Sequence, residues 1–281
     1  MEQQSDFLDC AGAHAILGAM ALPATQGHVV AVKMVTERPM SAATTAQSAS
    51  PIELWSWPTP NGHKVHIALE EMGLAYSVVP VNIGAGDQFK PEFLAITPNH
   101  RIPAIVDPDG PGGQRLTLFE SGAIMIYLAE KVGQFIPADP MRRLTCLQWL
   151  MFQMGGVGPM FGQFNHFNNY APEKLPYAIA RYSNEVKRLH GVLDKRLAQA
   201  PFLAGDEYSI ADMANFPWLR RPESRGVDFA DYPNLKRWFE AVEARPGVQR
   251  GMAVLAEHQR QGPITDAERE VMFGNTQFSA R

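Results

Sequence analysis

The strand-forming patterns of this chain all lie between Ile52 and Phe119, and this confinement limits the folds open to it. Short apolar and β-branched runs alternate there with turn residues, which predicts strands. After Pro137 these patterns vanish, and apolar residues recur at the three- and four-residue steps of a helix face. The sequence therefore predicts a small α/β domain followed by an all-α bundle. The expected strands are Ile52–Trp57, Tyr76–Ile83, Ala104–Val106 and Leu116–Phe119.

Capping residues indicate where several helices begin. In the first domain, a helix follows the first strand and another covers Ser121–Val132, so the order is βαβ, a hairpin and a helix. In the second half, Ser209 and Asp212 resemble a capping box, in which the carboxylate reaches back to the helix start. This predicts a buried helix over Ile210–Leu219. The last helix of the bundle is expected over Asn234–Ala244.

Charge and cysteine content exclude several classes of protein. The 25 Lys and Arg residues against 29 Asp and Glu residues give a net charge of −4. The composition therefore shows no excess of basic residues that would indicate nucleic-acid binding. Only Cys10 and Cys146 occur, without a C-x-x-C motif, which excludes a disulfide framework, a cysteine-built zinc site and an intrinsic dithiol centre. No apolar run approaches the ~20 residues that span a bilayer. We expect a cytoplasmic protein whose partner is a small molecule or another protein, with no membrane association.

Changes in composition and residue pattern divide the sequence into five parts. Residues 1–50 are rich in Ala, Ser and Thr, and we interpret them as a flexible extension or an upstream mis-assigned start, with Met34 or Met40 as the true start. An alternative is that an ordered part of them lies across a partner subunit. The predicted organisation is an extension over 1–50, an α/β domain over 51–135, a linker over 136–145, an all-α domain over 146–257 and a tail over 258–281.

Several common catalytic motifs are absent. The sequence has no G-x-x-x-x-G-K-[ST], H-E-x-x-H, G-x-S-x-G or G-x-G-x-x-G pattern, which removes the usual signatures of nucleotide hydrolysis, zinc proteolysis and serine esterase chemistry. His63 and His66 could hold a metal, but no third ligand is near in sequence. We interpret them as part of a solvated helix face and expect no metal site.

The stretch Glu120-Ser121 ends a strand and opens a helix, so it could bind an anion. The free N–H groups of the helix N-terminus, the Ser121 hydroxyl and the helix dipole would together hold a carboxylate. Glu120 could then take an ammonium group, which makes a site for both charges of an amino-acid head. A plain N-cap by Ser121 is the alternative.

A proline precedes the third predicted strand. A cis Ile102-Pro103 bond would leave the Ile102 N–H and C=O unpaired along the strand edge. An unpaired edge of this kind can bind a peptide by strand addition.

The loop before the first helix carries two polar side chains. Thr59 and Asn61 would point to one cleft near the positive end of the helix dipole, which lowers the pKa of a bound thiol. In the alternative interpretation Asn61 caps the helix and Thr59 fills the turn.

Together these residues make the chain resemble the cytosolic glutathione transferases, over about residues 51–255. The resemblance rests on the Ile-Pro before a strand, the Glu-Ser before a helix and the Ser-x-x-Asp box. Within that family the chain is most similar to the Nu class, the bacterial disulfide-bond oxidoreductases related to the yeast nitrogen-regulatory prion protein. The runs Thr-Pro-Asn-Gly-His-Lys and Phe-Glu-Ser-Gly-Ala-Ile make this resemblance specific. It implies a two-domain architecture, with a thioredoxin-like glutathione-binding domain and a helical bundle.

The resemblance also implies roles for individual residues. Thr59 and Asn61 would approach the glutathione sulfur as the catalytic pair, and the Ile102 backbone would pair with the cysteinyl part of glutathione. The implied glutathione-binding residues are Gln88, Arg101, Ile102, Pro103, Glu120, Ser121 and Arg181, and the implied co-substrate pocket consists of His166, Phe167 and Tyr170.

The implied chemistry follows from the lack of a suitable protein thiol. A thioredoxin-like cleft without its own thiol must import sulfur, which glutathione supplies as co-substrate. The expected activity is reduction of small disulfides through a mixed disulfide, with weak hydroperoxide reduction and without a metal or flavin. A glutathione-conjugating transferase and a non-catalytic glutathione-binding regulatory protein stay open as alternatives. The resemblance also implies a homodimer.

Overall fold

Residues 51–279, which the computed structural model describes, begin with one four-stranded mixed sheet. The extension expected over residues 1–50 lies outside the described residues. The strands are β1 (Ile52–Ser56), β2 (Tyr76–Pro80), β3 (Ala104–Asp107) and β4 (Leu116–Phe119). They lie in the order β2-β1-β3-β4, with β1 and β2 parallel and the other neighbours antiparallel. All four predicted strands and the predicted hairpin are therefore present.

Strand β2 ends at Pro80, short of the expected Ile83. The side-chain oxygen of Asn82 accepts the backbone N–H groups of Gly84 at 3.0 Å and Ala85 at 3.2 Å. This local hydrogen bonding turns the chain out of the sheet although the apolar pattern continues.

Helices account for most of the remaining described residues. Many of them begin at a proline, because its fixed φ suits the first turn and its missing N–H has no helical partner to lose. None of the helices within residues 51–279 is long and apolar enough to cross a membrane. They are α1 (Pro60–Met72), α2 (Pro91–Leu94), α3 (Ser121–Val132), α4 (Pro140–Phe152), α5 (Gly158–Asn165), α6 (Pro176–Leu197), α7 (Ile210–Leu219), α8 (Pro233–Glu243), α9 (Pro246–Ala253), α10 (Asp266–Phe273) and α11 (Thr276–Ser279), with π-helical turns at Gln153–Val157 and His166–Tyr170.

The connection between the two domains is shorter than the predicted linker over 136–145. Helix α4 already begins at Pro140, because the Asp139 side chain accepts the Arg142 N–H at 2.9 Å and caps it. The predicted tail over 258–281 contains two further helices, α10 and α11.

Helix α1 lies between the two domains and is buried on both sides. It packs against α3 of its own domain and against α7 and α9 of the helical domain. His63 is 4% exposed and His66 is 0% exposed, so their interpretation as a solvated helix face is wrong. His66 Nε2 lies 2.8 Å from the Ser56 hydroxyl. The helical domain covers the side of α1 that the first domain alone would leave to water.

Buried histidines predict a loss of stability in acid. Burial lowers the pKa of His63 to about 4, of His66 to about 3 and of His190 to about 4, from an ordinary value of 6.5. These imidazoles stay neutral in the folded protein, but in the unfolded chain they take up protons below about pH 6.5. Their contribution to the free energy of unfolding is therefore complete above that pH and decreases below it. We expect each buried histidine to lower the free energy of unfolding by about 2 kcal/mol at about pH 5.

Urea unfolding across this pH range measures the effect. The His258→Gln variant, which removes an exposed histidine, should show the same pH dependence as the wild type. A free energy of unfolding that stays constant from about pH 7 to about pH 5 would contradict the prediction.

The contact between α1 and α9 depends on a glycine. A Cβ at Gly251 would lie 2.6 Å from the Cα and 2.7 Å from the backbone nitrogen of Ile67, and backbone atoms of a buried helix cannot easily move aside. We expect Gly251→Ala to cost about 3 kcal/mol in urea unfolding. The matched variant Gly191→Ala, whose Cβ would meet only Tyr232 at 4.0 Å, should gain about 0.5–1 kcal/mol. Changes of the same sign in both variants would contradict this account.

Candidate functional site

A cleft between the first domain and the helical domain collects most of the residues that the sequence singled out. Its larger part has a volume of about 310 Å³ and its smaller part about 190 Å³. Asn61, Arg101 and Ile102 line both parts, so the two adjoin. The larger part is also lined by Thr59, Gln88, His166 and Tyr170, and the smaller part by Pro103, Glu120 and Ser121.

Thr59 caps helix α1. Its hydroxyl oxygen accepts the backbone N–H of Gly62 at 3.2 Å, so Thr59 is the N-cap and the alternative of an Asn61 cap is wrong. A hydroxyl that accepts this bond still has its own O–H to donate. Thr59 therefore brings one donor to the cleft at the positive end of α1.

Asn61 is oriented by a residue of the helical domain. The indole Nε1 of Trp218, in α7, donates to Asn61 Oδ1 at 3.0 Å. An indole N–H can only donate, so its partner must be the amide oxygen. The amide NH₂ of Asn61 is thereby left to donate, and both residues line the larger part of the cleft.

The strand edge before β3 has the predicted form. The Ile102-Pro103 bond is cis. Within residues 51–279, neither the backbone N–H nor the C=O of Ile102 has a hydrogen-bond partner in the protein. Both groups are therefore available to an extended ligand lying in the cleft.

Glu120 adopts an unusual backbone conformation, with φ 71° and ψ 110°. Residues other than glycine seldom adopt a positive φ, and such strain concentrates at functional sites. Glu120 occupies the cap position of α3 without a side-chain cap bond, whereas Ser121 is the first helical residue, so the plain N-cap by Ser121 is wrong. The first N–H groups of α3 are thus open to an anion.

Gln88 and Arg101 also line the larger part. The amide of Gln88 donates to the Ile83 carbonyl at 3.1 Å, while its buried oxygen has no partner within the described chain. The Arg101 guanidinium donates to the side-chain oxygen of Gln277 in α11 at 2.7 Å. These two side chains offer an acceptor and a cation to the cleft.

Two of the sequence-predicted residues lie away from the cleft. Arg181 is exposed on α6 and lines neither part of it. The Phe167 ring stacks on Tyr182, with ring centres 5.6 Å apart and an interplanar angle of 7°. In this structure Phe167 packs within the helical domain.

Comparisons with known proteins identify the family. The family model described as the glutathione S-transferase N-terminal domain matches residues 50–130, and that of the C-terminal domain matches residues 156–246. The chain belongs to the glutathione S-transferase family.

Individual relatives refine this assignment. Disulfide-bond oxidoreductase YfcG of Escherichia coli (strain K12) is 51% identical over 205 residues, which are 73% of this chain and 94% of that protein. A glutathione transferase family member from Pseudomonas fluorescens pf-5, solved with two glutathione bound, has a TM-score of 0.69 and 49% identity and covers 74% of this chain and 95% of its own. The structure of Ure2p in complex with glutathione has a TM-score of 0.68 and 32% identity, and it covers 73% of this chain and 99% of the Ure2p chain. The chain is thus a Nu-class member of this enzyme superfamily, and its first domain is thioredoxin-like.

The cleft of this glutathione S-transferase has no thiol of its own among the described residues. Cys146 is a free cysteine, but it is 0% exposed in the core, where burial raises the pKa of its thiol. Cys10 lies outside the described residues. In the same part of the chain, no group of three His, Cys, Asp or Glu side chains could hold a metal ion. Thiol chemistry at the described surface of the cleft therefore needs sulfur from a bound molecule.

Helix α10 forms one side of the cleft, which sequence reasoning missed. Phe273 of α10 lines the larger part, and its ring centre lies 4.9 Å from that of His166 and 5.5 Å from that of Tyr170. A capping box between Thr265 and Glu268 opens this helix. Its Thr-x-x-Glu pattern is a sequence signal that could have predicted α10, but not its position over the cleft.

Proposed function

We propose that this enzyme reduces disulfides with glutathione as the thiol. The observation that carries the proposal is the convergence of two donors, the Thr59 hydroxyl and the Asn61 amide, in a cleft whose described surface has no thiol. Both donors lie at the positive end of α1. Donors and dipole together lower the pKa of a bound thiol and stabilise its thiolate.

In this proposal glutathione lies across both parts of the cleft. The carboxylate of its γ-glutamyl head meets the uncapped N-terminus of α3 and the Ser121 hydroxyl, and its ammonium group pairs with Glu120. The unpaired backbone groups of Ile102 take the cysteinyl part. The glycyl end reaches Gln88 and Arg101, which supply an unpartnered oxygen and a cation.

The reaction proceeds in two thiol–disulfide exchanges. The bound glutathione thiolate attacks one sulfur of the substrate, so that a glutathione–substrate disulfide forms and the other half leaves as a thiolate. A second glutathione thiolate attacks the glutathione sulfur of the mixed disulfide, giving oxidised glutathione and the second substrate thiolate. The protons lost by the two glutathione thiols end on the two product thiols. A reducing cytoplasm supplies the glutathione.

Hydroperoxide reduction is a weaker activity of the same proposed thiolate. The sulfur attacks the terminal peroxide oxygen, the O–O bond breaks, and the alcohol leaves as the sulfur becomes a sulfenic acid. A second glutathione condenses with this species to give oxidised glutathione and water.

A homodimer is also part of the proposal. Helix α4 exposes Met141 (72%), Leu144 (61%) and Met151 (49%), whose spacing places them along one side of the helix. We propose that this apolar strip packs in a dimer in which the thioredoxin-like domain of one subunit meets the helical domain of the other. Sedimentation equilibrium would reveal a monomer if this is wrong.

Oxidation of glutathione by a small symmetric disulfide, coupled to glutathione reductase, tests the activity. We expect the wild type to turn over the disulfide much faster than it conjugates an aryl halide. Thr59→Ala removes one donor to the sulfur and should lower kcat/KM about 10- to 100-fold. Thr117→Ala, the same change at an exposed position of β4, should leave it unchanged.

The alternatives give different results in the same assays. Conjugation without disulfide turnover would identify a conjugating transferase. Binding of glutathione without either activity would identify a binding protein.

A further inference from the structure

Lys64, in α1, is a buried cation behind the smaller part of the cleft. Its side chain is 2% exposed. The ammonium nitrogen lies 2.5 Å from Gln153 Oε1, 3.5 Å from Ser121 Oγ and 3.6 Å from Met154 Sδ. All three partners are neutral, and within residues 51–279 no carboxylate forms an ion pair with it.

Burying an ammonium group without a counter-ion costs free energy on folding. The surrounding neutral partners offset this cost only in part. Burial accordingly lowers the pKa of Lys64 to about 7, although the Glu120 carboxylate acts in the opposite direction. The other elements around it among the described residues contribute no further charge, since the residues after α4 are Gln153 and Met154 and burial keeps the histidines of α1 neutral. Within residues 51–279, Lys64 is thus a buried cation without an ion-pair partner.

Gln153 and Ser121 contact the Lys64 ammonium group beside the smaller part of the cleft. Gln153 directs its oxygen to Lys64, so its buried amide nitrogen is left without a partner in the described chain. A Cβ at Gly158 would lie 2.9 Å from that nitrogen, so a larger residue would push Gln153 out of place. Ser121 separates the ammonium group from the cleft, because its hydroxyl contacts Lys64 and the residue lines the smaller part.

We propose that Lys64 is a positioning residue that supplies the missing positive charge for a carboxylate bound at Ser121, acting through the serine hydroxyl. The inference rests on the proposed function, in which that carboxylate belongs to the γ-glutamyl head. The anion completes the buried charge pair, so binding draws a proton from solvent onto the fraction of Lys64 that is neutral. Ser121 accepts from the ammonium group and donates its own proton to the carboxylate.

Titration calorimetry with S-methylglutathione near neutral pH tests this, because the blocked sulfur cannot release a proton. Two buffers of different ionisation enthalpy reveal proton uptake. We expect the wild type to take up a fraction of a proton with this ligand and none with an analogue that lacks the γ-glutamyl α-carboxylate. The analogue should also bind the wild type about 100-fold more weakly.

The Lys64→Met variant keeps the length of the side chain and removes its charge. It should bind S-methylglutathione at least about 10-fold more weakly, show no proton uptake and discriminate against the analogue far less than the wild type. Lys90→Met, which removes an exposed lysine, should behave as the wild type. The wild-type comparison of the two ligands needs no variant and therefore stands even if Lys64→Met folds poorly.

The possible outcomes separate this inference from the function on which it rests. Equal proton uptake with both ligands, or wild-type discrimination in Lys64→Met, would overturn the role of Lys64 while leaving glutathione binding intact. A wild type that binds neither S-methylglutathione nor glutathione would overturn both proposals.

Discussion

Asp212→Ala should lower the free energy of unfolding of this glutathione S-transferase by at least about 4 kcal/mol. The Asp212 carboxylate is 0% exposed. It accepts the backbone N–H groups of Leu203 and Ser209, each at 2.9 Å, together with the Ser209 hydroxyl at 3.0 Å and the Trp238 indole N–H at 2.8 Å. Each buried donor that loses its partner costs about 1–3 kcal/mol, and alanine leaves all of them unpaired at once.

Urea unfolding followed by tryptophan fluorescence measures this loss. Asp228→Ala is the matched control, because Asp228 is exposed and, among the described residues, its side chain accepts the Ala230 N–H alone, at 2.8 Å; the variant should lose about 1 kcal/mol or less. Asp212→Asn should lie between the two variants. Its amide oxygen can still accept from Leu203 and Trp238, but its NH₂ group faces the N–H of Ser209. Equal losses in the two alanine variants would contradict the prediction.

Asn61→Asp should reduce disulfide turnover by about 100-fold or more with little change in stability. The two side chains have the same shape, and an oxygen of the aspartate can still accept the Trp218 indole N–H that Asn61 accepts at 3.0 Å. The atom that faces the proposed sulfur changes from a donor to an anion. It then repels the thiolate and raises the pKa of the bound thiol, so less of it is ionised near neutral pH.

The pH profile of kcat/KM and the ultraviolet absorbance of bound thiolate both report this pKa. Asn169→Asp places the same charge at an exposed position and should change neither. Trp218→Phe keeps Asn61 but releases its amide oxygen, so we expect a smaller loss of about 10-fold and a smaller rise in the thiol pKa. Wild-type kcat/KM in Asn61→Asp would show that Asn61 does not contact the reacting sulfur.

Local patterns predicted most of the fold because the forces that form these elements act between near neighbours. The hairpin over β3 and β4, helix α3 and the capping box at Ser209 all depend on residues a few positions apart. The same holds for the cis bond before Pro103, which the Ile-Pro pair indicated, whereas the Glu-Ser pair left an uncapped start of α3 and a plain N-cap by Ser121 both open. The family resemblance and the two-domain architecture, both read from these patterns, are confirmed.

One error lies where a distant segment covers a local pattern. His63 and His66 have the spacing of a solvated helix face, but α9 packs against α1 and buries them. A second error is local: strand β2 ends early because the Asn82 side-chain oxygen accepts the N–H groups of Gly84 and Ala85, which the apolar pattern does not indicate.

The amino-acid sequence by itself determined the four strands, helix α3, the capping box at Ser209 and the polar pair at the start of α1, since each arises within a short window of chain. Only the tertiary structure decided that Trp218 orients Asn61, that Lys64 lies behind Ser121 and that α10 forms a side of the cleft. These contacts join residues far apart in the sequence. Their geometry depends on how the two domains and α10 pack together. The residue pattern within a single helix or strand does not predict that packing.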